Sequence, residues 1–444
     1  MFSADDLRAS LAELTPAAAR GYVVALSGGA DSLALAAAAA ALRASQVTLP
    51  LRAVHVNHGL QSAAENFSAV CERACAALGL PLQLLTLAPA ATAGYSLEEW
   101  AREARYAALA ANLQPDECLL TAHQREDQAE TFLLQALRGA GLAGLAAMPA
   151  RARFGAGWHL RPLLGVARQA LKQYVAARGL DAVEDVMNAD LRFDRAYLRD
   201  AVWPTLVRRW PGAAEVLVRS AAHVADGWGE LRAEIARDLA RARDGDALSL
   251  TELRHLSDAR RREVLRAFIE SRGVRAPPRA RLLEALRQMQ EARADAAPLV
   301  CWDGQALRRY RSRLYLTAAR LPVLRATSWD WHESPGVELG EGLGRLRLVS
   351  RPGALDAARL AYPLRIDVRY GAETLRIERG GHARALRHLL QSAGVVPWWR
   401  DSLPLLYSGD ALIAVADMWR AAEYCVTPEQ DGLAPQWQHG PALY

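Results

Sequence analysis

The amino-acid sequence predicts an α/β fold: a parallel sheet covered by helices, then a helical region and a small α+β domain. Three observations predict it. Over residues 1–214, short apolar runs alternate with amphipathic stretches at helical spacing, the pattern of strands joined by crossover helices. A glycine-rich turn, "SGGADS" at 27–32, separates the first such run from the first such helix. From 215 to about 320 helical periodicity takes over, and short strand-like runs return after 360.

The elements follow in order. "GYVVALS" at 21–27 reads as a buried strand and 31–44 as an alanine-rich helix. "LRAVHVN" at 51–57 is a second strand, and 62–78 a second helix closed by Gly79. "LPLQLLTL" at 80–87 is a third strand. The stretch 96–113 is an amphipathic helix with Ser96 as N-cap and acids in its first turn, where they complement the helix dipole. "ECLLTAH" at 117–123 is a fourth strand, and "EDQAETFLLQALRG" at 126–139 the helix after it. Strands alternating with helices in this way pair in parallel.

Residues 1–214 thus form one expected domain and 215–320 a second, helical one, with apolar spacing in "REVLRAFIESRG" and "RARLLEALRQMQEA". Residues 321–360, with scattered Pro and Gly, suggest a linker. Residues 361–444, with "LRIDVRY", "ALIAVA" and the helix "ARALRHLLQSAG", suggest a small α+β domain. The chain carries a formal net charge of +5, and residues 231–320 hold 20 Arg against 12 Asp and Glu. That segment is either a solvated helical face or a surface for a phosphate backbone.

Composition narrows the class. The five cysteines, Cys71, Cys75, Cys118, Cys301 and Cys425, form no CxxC pair and complete no zinc spacing, as expected of reduced cytoplasmic thiols. The first residues, "MFSADDLRASL", lack the basic-then-apolar order of a signal peptide. The alanine-rich run at 33–42, which ends at Arg43, is too short for a membrane span.

The turn at 27–32 carries the first chemical signal. Glycines allow positive φ and close backbone approach. Amides at a helix N-terminus then converge on an anion. Ser27 and Ser32 add hydroxyls, and Asp31 adds an acid. The loop has no lysine, so the lysine-dependent cradle for a γ-phosphate is absent. No GxGxxG fingerprint is present either. The string Ser27-Gly28-Gly29-Ala30-Asp31-Ser32 resembles the PP-loop of the ATP pyrophosphatases. That resemblance implies cleavage of ATP between its α and β phosphates, adenylation of a substrate and release of pyrophosphate.

Two further segments follow strand ends. "HVNHGL" at 55–60 places His55 and His58 after the second strand, and "TAHQREDQAET" at 121–131 follows the fourth. In a parallel sheet these ends share one edge. Asp127 and Glu130 are three residues apart, so they share one helical face. Acids in a first turn cap a helix; a carboxylate pair there also suits Mg²⁺ or an ammonium group. His123 is placed to position a phosphate or assist proton transfer.

Together, "SGGADS", "HVNHGL", "LEEWAREARY", "TAHQREDQAETFLLQALRGAGLAGL", "RPLL" at 161–164 and "EDVMNADLRFDRAYLR" at 184–199 resemble the tRNA(Ile)-lysidine synthases of the PP-loop group. "LRRYRSRLYL" at 307–316 and "VVPWWRDSLPLLY" at 395–407 extend the resemblance to the later domains. The family's usual HHxDDQ is here His123-Gln124-Arg125-Glu126-Asp127-Gln128. Its EDPSN is Glu184-Asp185-Val186-Met187-Asn188, and its RN is Arg195-Ala196.

The resemblance implies attachment of lysine to C2 of the wobble cytidine in the CAU anticodon of an isoleucine tRNA. ATP and Mg²⁺ are the implied cofactors, and free L-lysine and the tRNA the partners. It assigns ATP binding to residues 27–32, His55 and Arg105, catalysis to Asp31, His123 and Asp127, and metal to Asp31 and Asp127. Asp127 and Glu130 would hold the lysine ammonium, with Arg195 and Arg199 on the tRNA. Trp398 and Trp399 are either base-stacking or core residues. The alternative is another PP-loop tRNA-modifying enzyme such as a thiolase, although those usually carry paired cysteines. The expected location is the cytoplasm. No motif sets the oligomeric state, and a dimer is compatible with the reading.

Overall fold

The apolar run at the start becomes β1 of the sheet, and the elements that position the site grow from it. The structure is a computed structural model describing residues 2–45, 49–57, 64–87, 97–183, 193–293, 296–438 and 440. Its contacts divide the chain into two compact units, Met1–Arg232 and Ala233–Tyr444.

In the first unit, α1 (Ala4–Leu14) begins with a reciprocal cap between Ser3 and Asp6. Then come β1 (Gly21–Leu26), α2 (Ala30–Ala44), β2 (Leu51–Asn57), α3 (Ala64–Leu78), β3 (Leu82–Thr86), α4 (Leu97–Asn112) and β4 (Glu117–Leu120). After these follow α5 (Arg125–Leu137), the short α6 (Leu142–Leu145), β5 (Arg151–Phe154), β6 (Gly157–Leu160), α7 (Arg168–Ala176) and α8 (Asp194–Tyr197). His58, Ser96 and residues 184–192 lie outside the described residues.

The strands form one sheet in the order β3-β2-β1-β4-β6-β5. All neighbours are parallel except the β5–β6 hairpin. The sequence reading did not foresee that antiparallel edge. The chain runs from β1 outward to β3, then returns to the other side of β1 as β4. That reversal puts a crevice at the carboxyl ends of β1 and β4, where ligands bind in open α/β sheets. Tyr22 pairs with Cys118 and Val24 with Leu120, and Leu26 pairs with His55. The loops after β1, β2 and β4 therefore leave the sheet side by side.

Strand β4 ends at Leu120, shorter than the 117–123 expected; Thr121 still donates its amide to the Leu160 carbonyl at 3.1 Å, and His123 lies beyond the strand. One face of the sheet packs on α2, whose residues from Ser32 to Ala40 are all buried. A helix buried all round needs small side chains to approach its neighbours closely. Alanine supplies them against α1, α3 and α7. The other face buries Val23, Ala25, Val54, Val56 and Leu119 against Leu109 and Leu113 of α4 and its end.

In the second unit, helices Asp258–Glu270 and Arg279–Glu291 accompany a five-stranded sheet that includes Leu299–Trp302, Gln305–Tyr310 and Arg313–Ala318. Residues 321–360, read from sequence as an irregular linker, contain strands Thr327–Trp329, Gly336–Glu338 and Arg345–Pro352. The first and third pair with chain distant in sequence, Leu364–Asp367 and Asp431–Gln438, and the second joins the third as a local hairpin; local periodicity cannot reveal the distant pairings. Trp399 is buried in this unit's core, and Trp398 packs edge-on to Tyr315 at 5.2 Å. Both tryptophans therefore serve packing in this structure. Among the described residues no helix is long and apolar enough to cross a membrane.

Candidate active site

Residues 27–29 form a tight bend between β1 and α2, and residues 30–32 are the first turn of α2. Gly28 takes φ +81°, and a Cβ there would come within 3.2 Å of Phe67 Cδ1. Only glycine adopts that backbone without strain. Gly29 is the N-cap of α2, and no side chain caps the helix. The first amides of α2 therefore remain open to an anion. The two hydroxyls brace the bend. Ser27 Oγ donates to Ser32 Oγ at 3.0 Å, and Ser32 Oγ donates to the Gly29 carbonyl at 2.9 Å. Ser32 Oγ also accepts the Ser27 amide at 3.1 Å. The sequence suggested that these hydroxyls face phosphate; here their hydrogens are spent within the loop, as are the Ser27 and Gly29 amides, which leaves the first amides of α2 as the donors. Gly28→Ala is expected to cost about 1–2 kcal/mol and to raise the KM for ATP. A thermal melt and an ATP titration check it, and an unchanged melt speaks against a strained bend.

Asp31 sits in the first turn of α2 with Oδ1 buried and, among the described residues, unpartnered. Burial, and then the nearby Asp127 carboxylate, push its pKa up to about 6, with Arg168 and Arg199 partly offsetting them. A buried carboxylate oxygen without a donor, beside a second carboxylate, fits a cation. Among the described residues no three His, Cys, Asp or Glu side chains gather around one point. Two carboxylates with remaining positions left to phosphate and water is the donor set that suits Mg²⁺.

His55 is buried at the end of β2. Its Nδ1 donates to the Leu26 carbonyl at 3.0 Å, and among the described residues its Nε2 has no partner. Burial holds its pKa below the ordinary value, and the Arg105 charge on α4 pushes the same way. His55 is thus neutral with an open acceptor at Nε2. Arg105 acts electrostatically on His123 as well, so the sheet edge brings His55, Arg105 and His123 into one neighbourhood.

On α5, Asp127 and Glu130 share one face as their spacing requires, and three arginines meet them. Arg199 grips Glu130 with Nε on Oε1 at 3.0 Å and a terminal nitrogen on Oε2 at 2.9 Å. It also reaches Asp127 Oδ1 at 3.3 Å. Arg168 contacts Asp127 at 3.4 Å and Glu130 at 3.3 Å. Arg195 lies 3.4 Å from Glu130 and donates to Thr131 Oγ1 at 2.9 Å. The Glu130 side chain is 2% exposed. Sequence reasoning placed Arg195 and Arg199 on the substrate; the structure places their guanidiniums on these carboxylates. It missed Arg168 altogether, because nothing in "GVARQ" separates that arginine from its many neighbours.

The departures from the family pattern have structural roles. Gln124 is the N-cap of α5, its Oε1 accepting the Glu126 and Asp127 amides while Asp127 Oδ2 accepts the Gln124 amide at 3.2 Å. Glu126 accepts the Arg168 amide at 2.9 Å, which caps α7 and sets Arg168 in place. Ala196 is buried in α8.

His123 follows the Thr121 and Ala122 extension of β4. Its Nδ1 lies 2.8 Å from Thr121 Oγ1, which lies 2.8 Å from His159 Nε2 on β6. Burial, then the charges of Arg161, Arg195, Arg102 and Arg105, push the His123 pKa down to about 3.

Comparison with known proteins gives the family. A family model described as a PP-loop domain matches residues 4–206, and one described as the TilS substrate binding domain matches 248–315. A third, the TilS substrate C-terminal domain, matches 364–437. The tRNA(Ile)-lysidine synthase of Alkalilimnicola ehrlichii is 39% identical, covering 99% of this chain and 98% of that one. That of Methylococcus capsulatus is 38% identical, over 94% and 96%. Among solved structures, the U34-tRNA thiolase NcsA of Methanococcus maripaludis aligns with a TM-score of 0.41 at 16% identity, covering 50% of this chain and 78% of that one.

Proposed function

This chain belongs to the tRNA(Ile)-lysidine synthase family, and on that premise we propose that it joins lysine to C2 of the wobble cytidine of a CAU-anticodon isoleucine tRNA. ATP first adenylates the C2 oxygen and pyrophosphate leaves; the lysine amine then displaces AMP. The product reads AUA instead of AUG. The observation that carries this reading is the lysine-free loop at 27–32, with open α2 amides beside an unpartnered Asp31 oxygen. Amides fixed before reaction stabilise the charge that develops on departing pyrophosphate.

Asp31 and Asp127 would hold Mg²⁺, which would neutralise the phosphates when bound. His55 and Arg105 would border the nucleotide, and His123 would donate to a phosphate oxygen. The Asp127–Glu130 pair is the proposed seat of the lysine ammonium. In the free protein that seat is filled by guanidiniums. A bound polyanion draws arginines toward itself, so ATP and tRNA would release Arg195 and Arg199 from the carboxylates and free them for the ammonium. The arginine-rich residues 231–320 and the C-terminal domain would grip the tRNA, phosphates positioning it and anticodon bases specifying it. The setting is the cytoplasm, where tRNA is modified.

The test supplies ATP, Mg²⁺, labelled lysine and either a CAU-anticodon tRNA or the same tRNA with GAU. Label is expected only in the first. Pyrophosphate release without lysine incorporation at any lysine concentration would favour a different PP-loop tRNA modification.

A further inference from the structure

The hydrogen-bond chain behind His123 has a fixed direction. Arg161 is an obligatory donor, and its terminal nitrogen lies 3.1 Å from His159 Nδ1. His159 Nδ1 is therefore an acceptor, and the proton of the neutral ring sits on Nε2. That Nε2–H donates to Thr121 Oγ1 at 2.8 Å. The Thr121 hydroxyl is buried, and its own hydrogen then goes to His123 Nδ1 at 2.8 Å. A buried hydroxyl hydrogen pointed elsewhere would forfeit a bond that the geometry offers. His123 is left with its proton on Nε2.

We propose that Arg161, His159 and Thr121 lock His123 as a neutral imidazole whose Nε2–H is a permanent hydrogen-bond donor to the nucleotide, not a general base. The role of that donor rests on the ATP-binding reading above; the lock itself does not. Thr121 and His159 act through His123 and are positioning residues. His159 is fixed in turn: it is buried on β6, opposite Leu119 of β4, with Phe154 and Tyr106 against its ring at 5.5 and 6.0 Å. The charged groups around His123 all oppose a second proton. They are Arg102 and Arg105 from α4, Arg161 after β6 and Arg195 from α8. Burial, then Arg161, likewise hold His159 down at about 3. A donor that never titrates near neutrality keeps the same charge as ATP binds and pyrophosphate leaves, so no reorganisation is needed at the moment of reaction.

Side-chain ¹⁵N spectra of the histidine-labelled full chain, without ligand, test the lock directly. His123 is assigned by the signal lost in His123→Gln. A protonated Nε2 and an unprotonated Nδ1, unchanged from pH 5 to 8, are expected. A protonated Nδ1, or titration near pH 6–7, would overturn the lock whatever the enzyme's substrate. The second arm measures kcat and KM for pyrophosphate release. Thr121→Val is expected to lower kcat about tenfold to a hundredfold, since a misaligned donor forfeits stabilisation of the developing charge. It should leave the KM for tRNA unchanged and allow both His123 tautomers in the spectrum. Thr121→Ser, which keeps the hydroxyl, should restore both kcat and the single tautomer. Thr121→Val with wild-type kcat would overturn the donor role even if the spectra confirm the lock.

Discussion

Asp31→Asn is expected to lower ligation about a thousandfold and, at the same time, to make the ligand-free protein more stable at pH 8. The first effect follows from the loss of a carboxylate where Mg²⁺ and the departing pyrophosphate meet. The second follows from the raised pKa. Below the ordinary value of 3.8 the Asp31 carboxyl is protonated in both the folded and unfolded chain, and its burial then carries little penalty. As pH rises through about 6, folding must hold a buried charge that the unfolded chain holds in water. The wild type therefore loses about 2–3 kcal/mol relative to the asparagine variant between pH 4 and pH 7, a shift of several degrees in melting temperature. Melts in chelator at pH 5 and pH 8 measure it. A variant that melts no higher than wild type at pH 8, or whose advantage is as large at pH 5, contradicts the placement of Asp31. Loss of activity with gain of stability separates a strained functional carboxylate from a structural one, which would lose both.

Glu130→Ala is expected to be the most destabilising single change in the site. Its buried carboxylate receives two bonds from Arg199 and lies within reach of Arg168 and Arg195. Removing it leaves three guanidiniums facing each other with Asp127 as their remaining acidic neighbour on this face of α5. Breaking a buried ion pair from one side costs about 3–5 kcal/mol, enough to lower the melting temperature of a unit this size by roughly 10 °C. The double variant Glu130→Ala, Arg199→Met should recover part of the loss, because the uncompensated charge is removed with its partner. Asp127 is less buried and less heavily bonded, so Asp127→Ala should fold, bind tRNA and fail to ligate. A Glu130→Ala protein within 1 kcal/mol of wild type would show that the arginines do not depend on it.

These predictions rest on features that differ in how far the sequence announces them. The segment 27–32 is local: glycines, hydroxyls and an acid between an apolar run and a helix specify it, and the structure places Ser27 to Gly29 between β1 and α2 and Asp31 and Ser32 in the first turn of α2. The shared face of Asp127 and Glu130 is likewise set by helical spacing alone. What meets that face is not. Arg168, Arg195 and Arg199 come from helices 30 or more residues further along, and the choice of partner is made by tertiary packing. The same holds for His159. It lies in a four-residue hairpin strand, too short for periodicity to register, and its meaning appears only when β6 pairs with β4. Two strands inside residues 321–360, Thr327–Trp329 and Arg345–Pro352, stay hidden for the same reason: they pair with chain dozens of residues away. Substitutions at Gln124 and Glu126 look like losses when read against a motif. In three dimensions both side chains accept backbone amides at helix starts.

The proposed role of the loop at 27–32 is nucleotidyl transfer with loss of pyrophosphate. Its most direct test uses ATP labelled separately at the α and γ phosphates, with the CAU-anticodon tRNA and no lysine. The α label is expected to join the tRNA, the γ label to appear in pyrophosphate, and added lysine then to release the α label as AMP. Appearance of γ label as orthophosphate or on the tRNA, with no α label bound, would contradict it.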